Sequence, residues 1–207
     1  MGTFVLVQHP LIQAKLTKLR DRHTDRLQFR LILEELTSLM VYEITRDFPV
    51  REVEVTTPLE ETRGVELAQP VVLVPILRAG IVMLDGVLSL IPSARVGHIG
   101  LYRDPCTLQP VEYFVKLPPN LADALVIVVD PMLATGGSAA HAVKLVKDRG
   151  AKDVRFLCLV AAPEGLRAMR EAHPDVPIYA AALDRQLDEH GYIRPGLGDA
   201  GDRLFGT

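Results

Sequence analysis

Leu11, Ile12, Leu16 and Leu19 recur at roughly helical spacing after Pro10 and predict a short helix. A longer helix is predicted from Thr24, its expected N-cap. Phe29, Ile32, Leu33, Leu36, Leu39, Met40 and Ile44 return there every three to four residues, leaving Arg30, Glu34, Glu35 and Glu43 on the other faces. Val53 and Val55 alternate with Glu52 and Glu54, the period of a half-buried strand. The stretch Pro58 to Pro70, with Glu60, Glu61, Arg63 and Glu66, reads as a turn or hairpin at the surface.

After Pro70 the texture changes. Val71–Val74, Leu125–Val129 and Phe156–Val160 are unbroken aliphatic runs, which suit strands covered on both faces. Helix-like segments lie between them, at about 80–90, about 137–149 and about 163–172. Strand–helix alternation predicts an α/β fold built on a doubly wound parallel sheet. The expected layout is a single domain: an N-terminal helical arm over 1–50, a core sheet over 71–182 and a tail over 184–207. Gly191, Pro195, Gly196, Gly198, Gly201 and Gly206 predict no regular structure in that tail. The window Val71–Ile91 is long and mostly apolar, but Arg78 and Asp85 lie inside it. Each would cost roughly 2.5–3.5 kcal/mol near a bilayer centre, so it reads as two buried elements and a turn.

Composition narrows the function classes. With 207 residues, 48% apolar, the chain is long enough for a substantial core. Twenty-three basic against 26 acidic residues give a net charge of −3, which argues against a nucleic-acid footprint. Aromatics are only 5% and tryptophan is absent, so stacked base platforms are not expected. Cys106 and Cys158 are far apart, with no zinc or disulfide spacing, and the N-terminus lacks the features of a secretory signal. A soluble, cytoplasmic protein with no membrane partner is expected.

The most informative stretch is Val126-Ile127-Val128-Val129-Asp130-Pro131-Met132-Leu133-Ala134-Thr135-Gly136-Gly137-Ser138. A buried strand ends at a carboxylate, and a Thr-Gly-Gly-Ser turn then opens a helix. Backbone N–H groups, a helix N-terminus and two hydroxyls suit a phosphate, and Asp130 suits the hydroxyls of a sugar. The same residues also read as a plain corner with Asp130 and Ser138 as caps. Pro75-Ile76-Leu77-Arg78-Ala79-Gly80 makes a second corner, where Arg78 reads either as a phosphate ligand or as a structural ion-pair partner. Tyr102 to Pro110, followed by Val111 to Leu117, reads as a lid or as a surface hairpin.

The Asp130–Ser138 segment resembles the phosphoribosyl-diphosphate loop of type I phosphoribosyltransferases, with Pro131 where most members carry a second acid. That form is similar to the uracil phosphoribosyltransferases. The likeness extends to His9-Pro10-Leu11, Pro75–Gly80, Ala161-Ala162-Pro163-Glu164-Gly165, Glu189–Ile193 and Gly196–Asp202. The resemblance implies uracil and 5-phospho-α-D-ribose 1-diphosphate (PRPP) as substrates and UMP as a product of pyrimidine salvage. It further implies Mg²⁺ bound as Mg-PRPP with no direct protein ligand, a homo-oligomer of dimer size or larger with the N-terminal helices as its interface, and, for some members, activation by GTP. Catalysis would fall to Asp130, Arg78 and Arg103. PRPP would be held by Arg78, Arg103, Asp130, Pro131, Met132, Leu133, Ala134, Thr135, Gly136, Gly137, Ser138 and Asp199. Uracil would be read by a C-terminal hood, through Ile193, Gly198, Asp199 and Ala200, with Asp199 also on the Mg²⁺–diphosphate side.

Gly196-Leu197-Gly198-Asp199-Ala200-Gly201 also fits a dinucleotide fingerprint, but Pro195 precedes it and only six residues follow. His9, His23, His98, His141, His173 and His190 show no metal-ligand spacing and are assigned to solvent or local structure. Tyr192 reads equally as lining a base pocket or as packing. Two other readings remain, a nucleic-acid-binding regulator on the same fold and an enzyme of the same fold acting on another base.

Overall fold

The computed structural model describes residues 2–103 and 110–207. Strand β1 (Phe4–Leu6) leads into α1 (Pro10–Arg20), where Pro10 supplies a pre-set φ and the Nδ1 of His9 accepts from the Leu11 N–H at 3.2 Å. Helix α2 (Arg26–Ile44) follows, and its cap differs from the one expected. Asp25 Oδ1 accepts from the Gln28 N–H at 2.9 Å, while the Thr24 hydroxyl donates to the Lys18 carbonyl at 2.6 Å. A carboxylate serves the positive end of a helix better than a hydroxyl, which leaves Thr24 to close the preceding one. The two helices bury Ile12, Leu16, Leu19, Phe29, Leu33, Leu36, Met40 and Ile44.

The alternating valines do form a strand, though not a half-buried one. Strands β2 (Val50–Thr56) and β3 (Glu61–Leu67) pair antiparallel as a separate hairpin, with Val55 and Val65 exposed and Val53 half-buried. The alternating pattern fixed the strand pairing but supplied no core to receive the apolar face.

The aliphatic runs make the centre of the main sheet. The chain continues through β4 (Val71–Leu77), a 3₁₀ turn at Ala79–Val82, α3 (Met83–Leu88), β5 (Arg95–Val96), β6 (His98–Arg103), β7 (Pro110–Lys116), β8 (Leu125–Val129), β9 (Met132–Leu133), α4 (Gly137–Asp148), β10 (Asp153–Ala161), α5 (Pro163–Ala172) and β11 (Ile178–Leu183). Among the described residues the strand order is β1-β11-β10-β8-β4-β6-β7, and its pairings are parallel except for β6 with β7. The edge strand β1 comes from the segment expected to be purely helical. Val71, Leu73, Leu125, Ile127 and Val129 face one layer with α1 and α2, whereas Val72, Val74, Val126 and Val128 face α4 and α5. The window Val71–Ile91 is thus a strand and two short helical pieces, and among the described residues no helix is long and apolar enough to cross a membrane.

From β4 the chain moves outward to β6 and β7, and from β8 outward to β10 and β11. The direction of winding therefore reverses between β4 and β8. Ligands of open parallel sheets bind outside the carboxyl ends of strands at such a point.

The tail contains regular structure after all. Strands β12 (Gln186–Leu187) and β13 (Ile193–Arg194) pair antiparallel, and α6 (Ala200–Phe205) runs through the third glycine of the fingerprint-like run. Asp199 caps it, accepting from the Asp202 N–H at 2.9 Å. Ile193, Leu197, Ala200 and Leu204 are buried in the same apolar layer as Leu16, Leu19 and Phe29. Burial against the N-terminal helices supplies what the glycine-rich composition obscured.

Candidate active site

Asp130 follows β8 and Arg78 follows β4, so the two corners singled out in the sequence flank the reversal point. After Asp130 the chain returns to β10 as β9, and both Leu159 N–H and Val160 N–H donate to the Pro131 carbonyl at 3.1 Å. The loop then turns at Gly136, whose φ of +84° favours glycine, to open α4. The cap position is Gly136 itself, and among the described residues no side-chain cap hydrogen bond forms there, from Asp130 or Ser138 included. The first N–H groups of a helix lack partners within it, which suits the start of α4 to an anion.

The loop is backed closely from behind. A β-carbon at Gly165, in the first turn of α5, would lie 2.7 Å from the Leu133 carbonyl oxygen and nearer still to that of Ala134. Gly136 approaches Gly165 in return, since its own β-carbon would lie 2.8 Å from the Gly165 carbonyl oxygen. In the sequence Gly165 stands out only as the last residue of Ala161-Ala162-Pro163-Glu164-Gly165.

A cavity of about 220 Å³ opens over this corner, lined by Asp130, Met132, Leu133, Ala134, Thr135, Gly136 and Ser138 from the loop and by Asp199, Ala200 and Gly201 from the tail. Desolvation pushes the half-buried Asp130 carboxyl up to about 7. The Met132 N–H, 3.3 Å from Asp130 Oδ1, acts in the opposite direction, and the charge of Asp199 adds to the rise. Two carboxylates thus share one cavity. Among the described residues no group of three or more His, Cys, Asp or Glu side chains could hold a metal ion. Two carboxylates offer oxygen donors of the kind a divalent cation takes, with phosphate oxygens and water able to complete its coordination.

A second cavity of about 320 Å³ adjoins the first, sharing Met132, Ala134, Asp199 and Ala200 and adding His190, Gly191, Tyr192, Ile193 and Gly198. All four residues expected to read a base are therefore around one space. Tyr192 lines it with its ring about half exposed, and His190 lines it as well, unlike the other histidines. His9 caps α1, and His173 Nε2 lies 2.8 Å from the Ala140 carbonyl. Cys158 is buried and unpaired, and burial pushes its thiol well up, so it offers no nucleophile.

The walls of this second cavity hang on residues that the sequence reading did not select. Asp184, directly after β11, pairs bidentately with Arg20 of α1 at 2.7 Å for each bond. The same pair grips both backbone groups of Gly196: Asp184 Oδ2 accepts its N–H at 2.8 Å, and Arg20 Nη1 donates to its carbonyl at 2.6 Å. Arg203 Nη1 donates to the carbonyls of Leu197 at 2.8 Å and Leu19 at 2.6 Å, with its guanidinium 4.1 Å from the centre of the Phe29 ring. Asp188 accepts from the N–H groups of His190 and Tyr192, and these bonds hold its carboxyl below the usual range. A carboxylate ending a buried strand, the signal that marked Asp130, was also present at Asp184.

Arg78 stands apart from both cavities, although its neighbour Ala79 lines the first. Its guanidinium lies against α6, 5.8 Å from the centre of the Phe205 ring, and one of its nitrogens would be 3.9 Å from a β-carbon at Gly201. Pro131 is buried and turned toward β10, and Gly137 does not line the cavity. Arg103 ends β6, and its side chain lies outside the described residues, as do Cys106 and the centre of the expected lid.

Known proteins agree on where this arrangement belongs. The family model described as uracil phosphoribosyltransferase matches residues 5–207. The chain is 59% identical over 208 residues to the uracil phosphoribosyltransferase of Anoxybacillus flavithermus and 61% identical over the same length to that of Ligilactobacillus salivarius, covering all of both chains in each case. The solved structure of the AQ2163 protein from Aquifex aeolicus superposes with a TM-score of 0.95 at 38% identity, over 99% of each chain. Likeness of that extent, in sequence and in backbone, makes the chain a member of the uracil phosphoribosyltransferase family.

Proposed function

We propose that the chain transfers the 5-phosphoribosyl group of PRPP to N1 of uracil, giving UMP and diphosphate. The observation that carries this reading is the pair of adjoining cavities, one over a phosphate-type corner and one under the tail, sharing Met132, Ala134, Asp199 and Ala200. A nucleotide has the matching division between phosphorylated sugar and base.

In this mechanism the first N–H groups of α4, with Thr135 and Ser138, hold the 5′-phosphate. Asp130 holds the ribose hydroxyls close to C1. The C1–O bond breaks with its electron pair going to the diphosphate, and the sugar ring acquires oxocarbenium character. The ionised Asp130 carboxylate stabilises that cation, and Arg78 and Arg103 draw the leaving charge the other way. N1 of uracil supplies the electron pair for the new bond, and its proton passes to the departing diphosphate or to solvent. Bound together with PRPP, Mg²⁺ would neutralise charge on the diphosphate, with Asp130 and Asp199 the carboxylates that would lie on its side of the site. No covalent nucleophile is needed, so positioning and electrostatics carry the rate.

The base is read edge-on. Backbone groups of Ile193, Gly198 and Ala200 match uracil's alternating carbonyl and N–H groups, whereas the amino group of cytosine would leave a buried donor facing a donor. The wider expectations belong to the same reading: a cytoplasmic enzyme of pyrimidine salvage, a dimer or larger assembly, and GTP as effector. Exposed Leu27, Leu31 and Tyr42 on α2 support an interface on the N-terminal helices.

The test is diphosphate release by the purified chain with PRPP and Mg²⁺, comparing uracil, cytosine, orotate and hypoxanthine, with and without GTP. Uracil-dependent release with the other bases inert is expected. Preference for another base would overturn the uracil assignment, and release with none would overturn the activity.

A further inference from the structure

The corner where α1 meets α2 bonds directly to the backbone of the tail. Arg20 reaches from α1 to the Gly196 carbonyl, and Arg203 reaches from α6 back to the Leu19 carbonyl. The two arginines thus exchange bonds between neighbouring residues of two segments far apart in sequence. Asp184, whose side chain is only 6% exposed, ties Arg20 to the sheet edge and takes the Gly196 N–H. Gly196 itself adopts φ +63°, where any side chain would run into the Ile193 carbonyl. Within the tail, the peptide groups that the ion pair and Arg203 hold are those of Gly196 and Leu197, between Ile193 and Gly198.

We infer that Arg20 and Asp184, with Arg203, are positioning residues for base recognition. The bonds orient the Gly196–Leu197 peptides and thereby set where the backbone groups of Ile193, Gly198 and Ala200 point into the second cavity. The inference rests on the base-binding reading above. Charged partners are well suited to this task. Bonds with an ionised partner are shorter and stronger than neutral ones, and the planar guanidinium fork leaves little freedom of angle. The loop that would hold the phosphate has a separate support, in β10 and Gly165. Loss of the Arg20–Asp184 pair should therefore act on the base and leave PRPP binding alone.

The experiment is a steady-state comparison of the full chain with Arg20→Gln, Arg20→Lys and Asp184→Asn, varying uracil and PRPP separately and recording thermal melts. The expected result is a KM for uracil raised tenfold or more in Arg20→Gln and Asp184→Asn, with the KM for PRPP within twofold. Arg20→Lys should fall between, because an ammonium can keep one of the bonds but not the fork. If Asp184→Asn does not fold, the two Arg20 variants decide. A lowered melting temperature with both KM values unchanged would overturn the inference, leaving the pair as structural only. An equal rise in both KM values would overturn it as well. Absence of uracil-dependent release by the unaltered chain would remove the proposed activity and this inference together, whereas an active chain with an unmoved uracil KM removes only the inference.

Discussion

The corner after β8 and the tail after β11 enclose the same space, but they are held in different ways. The corner is backbone work: a strand-to-helix turn, a return to the β10 ladder and a glycine pressed against its carbonyls. The tail is side-chain work, with Arg20, Asp184 and Arg203 bonding to peptide groups more than 150 residues away or on the next element. The difference suggests a division of labour. On the proposed reading, the corner serves the part of the reaction that every phosphoribosyl transfer shares, and the tethered tail serves the choice of base.

The sharpest way to break that division is at Asp130. Asp130→Asn should lower kcat/KM on the order of 10²–10³, the range for loss of one preorganised electrostatic stabiliser. Initial rates of diphosphate release measure it, and full activity would remove Asp130 from the chemistry. Gly165→Ala comes next, because its methyl group forces the Leu133 and Ala134 carbonyls to move. A loss of about 10² in kcat/KM for PRPP is expected, the effect of a misplacement near 1 Å, with uracil affinity little changed. An equal loss toward both substrates would show the two regions to be coupled.

A third expectation uses acidity. If ionised Asp130 is the working form, kcat/KM should fall as pH drops through about 7, and Asp199→Asn should move that limb to lower pH by removing a neighbouring negative charge. Stability has the opposite trend. The folded carboxyl binds its proton more tightly than the unfolded one, so the contribution to stability is complete below the ordinary carboxylate range and is lost as pH rises to about 7. In melts of the free protein, Asp130→Asn should therefore look more favourable relative to the unaltered chain at pH 8 than at pH 4. The smallest effect is expected for Phe205→Leu. The ring faces Arg78 at 5.8 Å, a contact worth about 0.5–1 kcal/mol at an exposed site, so the KM for PRPP should rise two- to fivefold.

The same division explains what could be read from the sequence. Asp130 to Ser138 was legible because strand, carboxylate, glycines and helix are contiguous, and local chemistry makes the corner. The parallel sheet was legible from its aliphatic runs for the same reason. Helix α6 was not, because it is only six residues long, Gly201 and Asp202 have little intrinsic helical preference, and it depends on Leu204 being buried among α1 and α2. The pairing of Arg20 with Asp184 was equally hidden: Asp184 has the mark of a carboxylate ending a strand, but an arginine at the end of one helix gives no sign of a partner in the last quarter of the chain. The hairpin erred the other way: Val53 and Val55 had the right period, but pattern alone carries no information about whether a partner surface exists.

One detail of the corner bears on what positions the anion cradle. Val129 pairs with Leu157 and Met132 with Val160, so the ladder resumes beyond Asp130 and Pro131 with the same offset at which it stopped. The interruption adds no frame slip. The turn that follows therefore starts in register with β10, and the anion cradle takes its place from the ladder rather than from the two residues that interrupt it.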